Sequence, residues 1–466
     1  MLIAVVIIFF VLVLTIGAYV SKRGQKASDF LIAGRNVNLA LTTATLAAIQ
    51  IGAGVIMGGS EEAATNGIWP GMYYGIGCGG GLILAGVLAA SKLRASGGIV
   101  PLDFFANRYG ERRLIRIWGW ISNIPSLLGI FVVQIMAAGT VLSIFGIDKH
   151  LAIIIVGAVI IIYCALGGMW GVVILDFFQL GIILSGILIV TIITLLKLKA
   201  AGSVADVFAM PFIPPGMFSR AVFLILPFLL SISVSYDAFM RFQAAKSAKT
   251  AMWGAIFGGL IVIFVSFCIS LVGSAGKIIY KDVANESILP HMIKTSLHPA
   301  VAGIVVSAVL ASIMTSSTCL LLSLAGTCSR DFYNKVLNPK AELNDLKYAK
   351  LISRIAIVAS LVAGVSIAFF AKGILDTMIL FNYPYMGSML VPLLGGLLWK
   401  KATMKGALAA IFVGAAIGVV AFLAGIPGPF KGKFNVDLGL LIAYAISATV
   451  FIVVSLMTQE KKVNRI

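Results

Sequence analysis

The stretch LAAIQIGAGVIMGGSEE, residues 46–62, changes character halfway along. It opens as apolar helix, then Gln50 brings in an amide, Ile-Gly-Ala-Gly follows, and Glu61 and Glu62 close the run. In a membrane span glycine ordinarily serves close helix packing. Here the glycines stand between a polar side chain and two acids. The alternative is a helix that unwinds inside the membrane and frees main-chain carbonyls to bind a cation. These residues alone leave both readings open.

The rest of the chain places the stretch in hydrocarbon. Of 466 residues, 60% are hydrophobic and 11% charged, against roughly 25% charged in soluble domains; mean hydropathy is +1.08. Apolar runs near or above ~18 residues recur throughout, the mark of an all-α polytopic membrane protein built as a single embedded bundle. Thirteen spans are expected, at about 2–20, 38–58, 70–91, 118–145, 150–167, 172–197, 220–237, 251–274, 299–326, 351–371, 375–399, 403–425 and 437–457. The opening MLIAVVIIFFVLVLTIGAYVSKR has no basic leader, is too long for a signal-peptide core and carries its charges after the apolar run. It is expected to be a retained first span.

A net charge of +18 raises the question of nucleic acid or anionic lipid. With the N-terminus outside and the C-terminus inside, most of the 35 Lys and Arg residues fall on inward segments, among them Lys22, Arg94, Arg108, Arg241, Lys246, Arg330, Lys400 and Lys461. The positive-inside rule then accounts for the basic balance, with the lipid bilayer as partner and no nucleic acid. Cys78, Cys164, Cys268, Cys319 and Cys328 form no CxxC pair, so neither a disulfide framework nor a zinc site is indicated. His150, His291 and His298 fall in loops, leaving no metal cluster or proton relay within the spans.

Three further stretches are polar where lipid does not favour it. The fifth-to-sixth junction reads GGMWGVVILDFFQ, residues 167–179, a Gly-Gly turn followed by an acid and a glutamine. An intramembrane carboxylate such as Asp176 is expensive and points to function; its structural alternative is a helix N-cap. The ninth span reads ASIMTSSTCLLLSLAGTCSRDFY, residues 311–333, with hydroxyls at Ser312, Thr315, Ser316, Ser317 and Thr318. Ser312, Thr315 and Ser316 share one helix face, although such hydroxyls ordinarily join helices or bond back to their own helix. The eleventh span contains NYPYMG and ends PLLGGLLWKKATMKGALAA, residues 392–410.

Together with the opening DFLIAGR at residues 29–35, this set resembles the sodium:solute symporter family. Its members carry GG-x-x-x-V-x-x-x-D-x-x-Q, a Ser/Thr-rich ninth span ending near D-x-Y, and a late P-x-x-x-G-x-x-x-x-K/R-x-T-x-x-G-A. The resemblance covers about Asp29 to Ala410. It implies a LeuT-type inverted repeat of five plus five helices. Residues 1–37 would form the first peripheral span and a cytoplasmic loop, 38–197 the first repeat (spans 2–6), 198–399 the second (spans 7–11), and 400–466 peripheral spans 12–13 with a short cytoplasmic tail. It further implies a sodium site from the carbonyls of Ala48, Ile51 and Ser312 and the hydroxyls of Thr315 and Ser316, with Asp176 in cation coupling. A second sodium, held by some members, would fall to Asp176, Thr315, Thr318 and Cys319. A thiol is a poor sodium ligand, so one sodium is expected.

Sugar-transporting members carry a glutamine and a glutamate where this chain has Val55 and Tyr74, which leaves sugar hydroxyls without partners. Proline-type members carry Asp-x-Ser where Gln50-Ile51-Gly52 stands. The substrate candidates are Gln50, Gly52, Val55, Tyr73, Tyr74 and Gln134, then Ser231, Ser233 and Ser235, with Asn382 and Tyr385 on the eleventh span; Asp237 and Arg241 lie near the inner end. Gln134, a lone amide in IFVVQIMAAG, needs a partner. The expected function is sodium-coupled symport by alternating access, with sodium ion co-transported. The solute is a small polar organic molecule, an amino acid, monocarboxylate or vitamin-like acid in preference to a sugar. The setting is a cell membrane of the prokaryotic inner-membrane kind, and a monomer suffices. The rivals are a proton-coupled or facilitative carrier, a transporter-like sensor and an intramembrane enzyme. A sensor needs a large signalling domain, whereas nine residues follow Met457; an enzyme needs catalytic groups within the spans.

Overall fold

A computed structural model of the chain describes residues 1–20, 27–111, 113–143, 146–343, 347–370, 381, 388–425 and 436–459. Among these the regular structure is helical, apart from one isolated parallel bridge between Val37 and Ala245. Helix α1, Leu2–Val20, shows the solvent it was selected for. Val6, Phe9 and Val13 are buried against the body, while Ile3, Ile7, Ile8, Val11 and Leu12 are 53–59% exposed. A helix apolar on every face belongs in lipid, where only helices and closed barrels satisfy their own main chain. Among the described residues seven helices are long and apolar enough to cross a membrane, or eight when one bent pair is counted as a single span.

That bent pair settles the opening question. Helix α2, Leu39–Gln50, starts on an Asn38 cap that accepts from the Leu41 N–H at 3.0 Å. It stops at Ile51, and α3, Gly54–Asn66, resumes at an angle of 55°. Next come α4 (Ile68–Ser96), the short α5 (Pro101–Tyr109) and α6 (Arg113–Ser143). The glycines of the third span are packing residues: a Cβ at Gly79 would lie 2.6 Å from the Gly259 carbonyl of α10, Ala248–Ile279.

The Gly-Gly junction survives as a kink in one long helix, α7, Lys149–Ala200, where Gly168 adopts φ 54° and ψ −157°. A side chain there would be strained and would meet Phe30 at 2.6 Å. The seventh span, expected unbroken over 220–237, is divided into α8, Phe218–Ile232, and α9, Tyr236–Ala244. The serines between explain the break. Ser233 and Ser235 donate their hydroxyls back to the Leu230 and Ile232 carbonyls at 2.5 and 3.3 Å, and Ser235 is extended with ψ 149°. The ninth span, α11, Pro299–Leu337, runs through the centre and is 94% buried over its most apolar window. α1 packs on it at Gly303, where a Cβ would touch Val5 at 2.8 Å. Asn382 and Tyr385 lie outside the described residues.

Candidate functional site

The broken end of α2 meets the hydroxyl face of α11 at the centre of the bundle. The Thr315 hydroxyl lies 3.1 Å from the Ala48 carbonyl and 2.9 Å from the Ser312 carbonyl. The Ser316 hydroxyl lies 2.9 Å from the Ile49 carbonyl and 3.5 Å from that of Ala48. Ala48, Ser312, Thr315 and Ser316 are all buried. Ile51 ends the helix with ψ 65°, turning its carbonyl out of the helical course, and its N–H rests on the Ala47 carbonyl at 3.0 Å. The result is a cluster of neutral oxygens without a carboxylate. Each hydroxyl that donates to a carbonyl keeps lone pairs free to accept or to ligate, and hard cations take oxygen donors of this kind. The structure thus brings together four of the five residues expected around sodium and adds the Ile49 carbonyl.

The unwound step is held from a third helix. Gln134 of α6 accepts the Ala53 N–H at 2.8 Å, the partner its lone amide required. At Gly52 a Cβ would sit 2.6 Å from the Ser316 hydroxyl and 2.7 Å from the Gln134 amide, so a side chain there would displace one of these groups. The two breaks, α2–α3 and α8–α9, face one partly enclosed cavity. Of the expected solute residues, Gln50, Gly52, Tyr74, Gln134 and Ser231 line it, with Ser235. Asn123, Ser126, Phe228, Tyr236 and Asp237 complete much of the wall. Tyr73 points elsewhere and donates to the Phe212 carbonyl at 2.5 Å. Val55 and Ser233 are buried away from the cavity wall. Sequence reasoning passed over Asn123 and Ser126, although two polar residues flanking Pro125 inside an apolar span were a usable signal.

Asp176 lies two turns beyond the Gly168 kink, too far along to cap that helix. It accepts from the Thr45 hydroxyl, and the Arg241 guanidinium approaches it to 4.0 Å. Arg241 also donates to Thr45 at 3.0 Å and touches the Cys319 thiol, itself 4.0 Å from Asp176. The Thr318 hydroxyl bonds back to the Met314 and Thr315 carbonyls, both at 2.9 Å, and Ser317 to Ile313 at 2.7 Å. The region expected to offer a second cation position therefore contains a fixed positive side chain.

Ionic contacts join the helices on either side of the cavity. At the basic end Arg116 is fully buried and pairs with Asp103 and Asp331 at 2.8 Å and with Glu111 at 2.9 Å. Arg330 reaches Asp103 at 3.2 Å. Tyr236, from the cavity wall, donates to Asp331 at 3.1 Å. Burial works to raise the Asp103 carboxyl, but Arg116 and Arg330 outweigh it and hold the group below the ordinary carboxylate value. The Val37–Ala245 bridge ties the start of α2 to the end of α9, with N–O distances of 3.0 and 2.8 Å. At the opposite end Glu62 of α3 pairs with Arg220 of α8 at 3.0 Å.

Two discontinuous helices and a hydroxyl-bearing helix around a central cavity define a secondary transporter. The model of the sodium:solute symporter family matches residues 30–414, and the chain belongs to that family; it is a transport protein and not an enzyme. Sodium/proline symporters of Staphylococcus aureus, strains JH9 and USA300, are each 26% identical over 436 residues, covering 89% of this chain and 84% of theirs. Among solved structures, a Na+-coupled sialic acid symporter in a substrate-bound outward-open state superposes with a TM-score of 0.79 at 18% identity, over 99% of this chain and 98% of that one. A nucleobase-cation-symport-1 family transporter, closed on bromovinylhydantoin, gives 0.58 at 15% identity, over 91% and 94%. These likenesses establish a fold of the LeuT type.

Proposed function

We propose that the protein is a sodium-coupled secondary active symporter that imports a small polar organic solute by alternating access. The observation that carries this reading is the placement of the Thr315 and Ser316 hydroxyls on the Ala48 and Ile49 carbonyls, at the end of a helix that breaks inside the bundle. One sodium ion is the co-transported species. It would take the oxygens of Ala48, Ser312, Thr315 and Ser316 and the out-turned carbonyl of Ile51, pinning α2 to α11. Asp176, neutralised by Arg241, supports the coupling and does not hold a second ion. An inward-negative potential contributes ~2.3 kcal/mol per charge per 100 mV to uptake.

The wider organisation belongs to the same reading. Eight spans, with the bent pair as one, and five shorter apolar helices among the described residues are compatible with thirteen crossings, N-terminus outside and C-terminus inside. The broken helices α2–α3 and α8–α9 each open one of two five-helix repeats, over 38–197 and 198–399. A monomeric transport unit belongs to this reading, and bacterial relatives favour a prokaryotic inner membrane. The solute is an amino acid, monocarboxylate or vitamin-like acid in preference to a sugar. Proteoliposomes loaded with potassium and given an inward sodium gradient test this with labelled amino acids, carboxylates and hexoses. Uptake that follows sodium supports the reading; uptake that ignores sodium and follows a proton gradient contradicts it.

A further inference from the structure

Among the described residues that line the central cavity, Asp237 is the one with a carboxylate or a basic side chain. It is 8% exposed, and its carboxylate makes no hydrogen bond or ion pair among the described residues. The nearest arginine in sequence does not serve it. Arg241, one turn on, donates to the Asp237 main-chain carbonyl at 3.0 Å and directs its guanidinium to Thr45, Cys319 and Asp176. A carboxylate taken out of water without a cation is unfavourable, so the cavity is suited to a cation that the described residues do not supply. Across the same wall Asn123 is 2% exposed with both amide atoms unpartnered, and the Ser231 hydroxyl is unpartnered as well. An amide and a hydroxyl left free beside a carboxylate match a solute with a positive group and a separate hydrogen-bonding group. The apolar remainder, including Phe228 and Leu127, favours an organic solute over a bare ion.

We propose that the transported solute carries a protonated primary or secondary amine, held by Asp237, with its polar remainder on Asn123 and Ser231, as in a small amino acid. This rests on the symport reading and narrows its solute. Asp237 is then a specificity-determining residue, separate from the oxygen cluster at Ala48 and Thr315.

The test uses the full-length protein in lipid nanodiscs and follows thermal unfolding. The probes are the twenty common amino acids, their N-acetyl derivatives, lactate, pyruvate and hexoses, each at saturating sodium, together with a sodium titration alone. An amine-bearing probe should stabilise the protein, its N-acetyl form should bind at least tenfold more weakly, and Asp237→Asn should weaken it similarly while sodium alone still stabilises. The proposal is overturned if no amine-bearing probe binds, or if acetylation costs nothing. It is also overturned if Asp237→Asn binds the amine unchanged or moves the half-saturating sodium concentration instead. The N-acetyl comparison in the unaltered protein stands even if the variant fails to fold. Amine binding with no sodium effect would sink the symport reading and leave Asp237 in its role.

Discussion

At the scale of single residues, the account depends on hydroxyls that lipid gives no reason to keep. Removing one oxygen from a cation's ligand set forfeits about 1.5–3 kcal/mol, the range for hydrogen bonds to charged groups, or roughly 10- to 100-fold in affinity. Thr315→Ala and Ser316→Ala are each expected to raise the half-saturating sodium concentration by that factor, measured by sodium-dependent thermal shift, with membrane insertion unchanged. Ser317→Ala, whose hydroxyl serves only its own helix, should leave it unmoved. Gly52→Ala places a Cβ 2.6 Å from the Ser316 hydroxyl, displaces it or the Gln134 amide, and should weaken sodium stabilisation in the same assay. The i, i+3, i+4 spacing made the hydroxyl face of α11 legible in the sequence. The Ile49 carbonyl was not, because which carbonyls a broken helix releases depends on the dihedral angles at the break.

At the scale of elements, the function needs helices that stop inside the bundle. The α2–α3 break was only half legible: its glycines allowed close packing or an unwound helix, and the family resemblance, not the residues alone, pointed to the second. The α8–α9 break was not legible: serines at 231, 233 and 235 leave hydropathy almost undisturbed, and they end the helix through local bonds to their own carbonyls. The need of Gln134 for a partner was visible, but its partner is a main-chain N–H that exists only once α2 has unwound. Gln134→Leu leaves the Ala53 N–H unpaired, at a cost of about 1–3 kcal/mol. It should lower the unfolding temperature and uptake together.

For the whole molecule, alternating access requires one closure to open while the other holds. The pair between Glu62 and Arg220 is partly exposed, with 30% of the arginine side chain accessible, and such pairs are worth about 1 kcal/mol at most, roughly fivefold in population. Arg220→Gln should therefore speed thiol labelling of a cysteine placed at Ser231 from that side by up to about fivefold. The Arg116 network is buried and shared by three acids, so it should be the firmer closure. The lowered carboxyl of Asp103 makes its contribution complete above the unfolded carboxylate range; it is lost only as pH falls through the lower folded value. The basic bias of that end was legible from composition; the pairing of Arg116 with Asp103, Glu111 and Asp331 was not, since Asp331 lies 215 residues away on another helix. The central claim, a sodium site between α2 and α11, is tested most directly by equilibrium binding of radioactive sodium to the purified protein. The account predicts saturable binding of one sodium per chain, weakened at least tenfold in Thr315→Ala and Ser316→Ala. Binding that is absent, or unchanged in both variants, would contradict it.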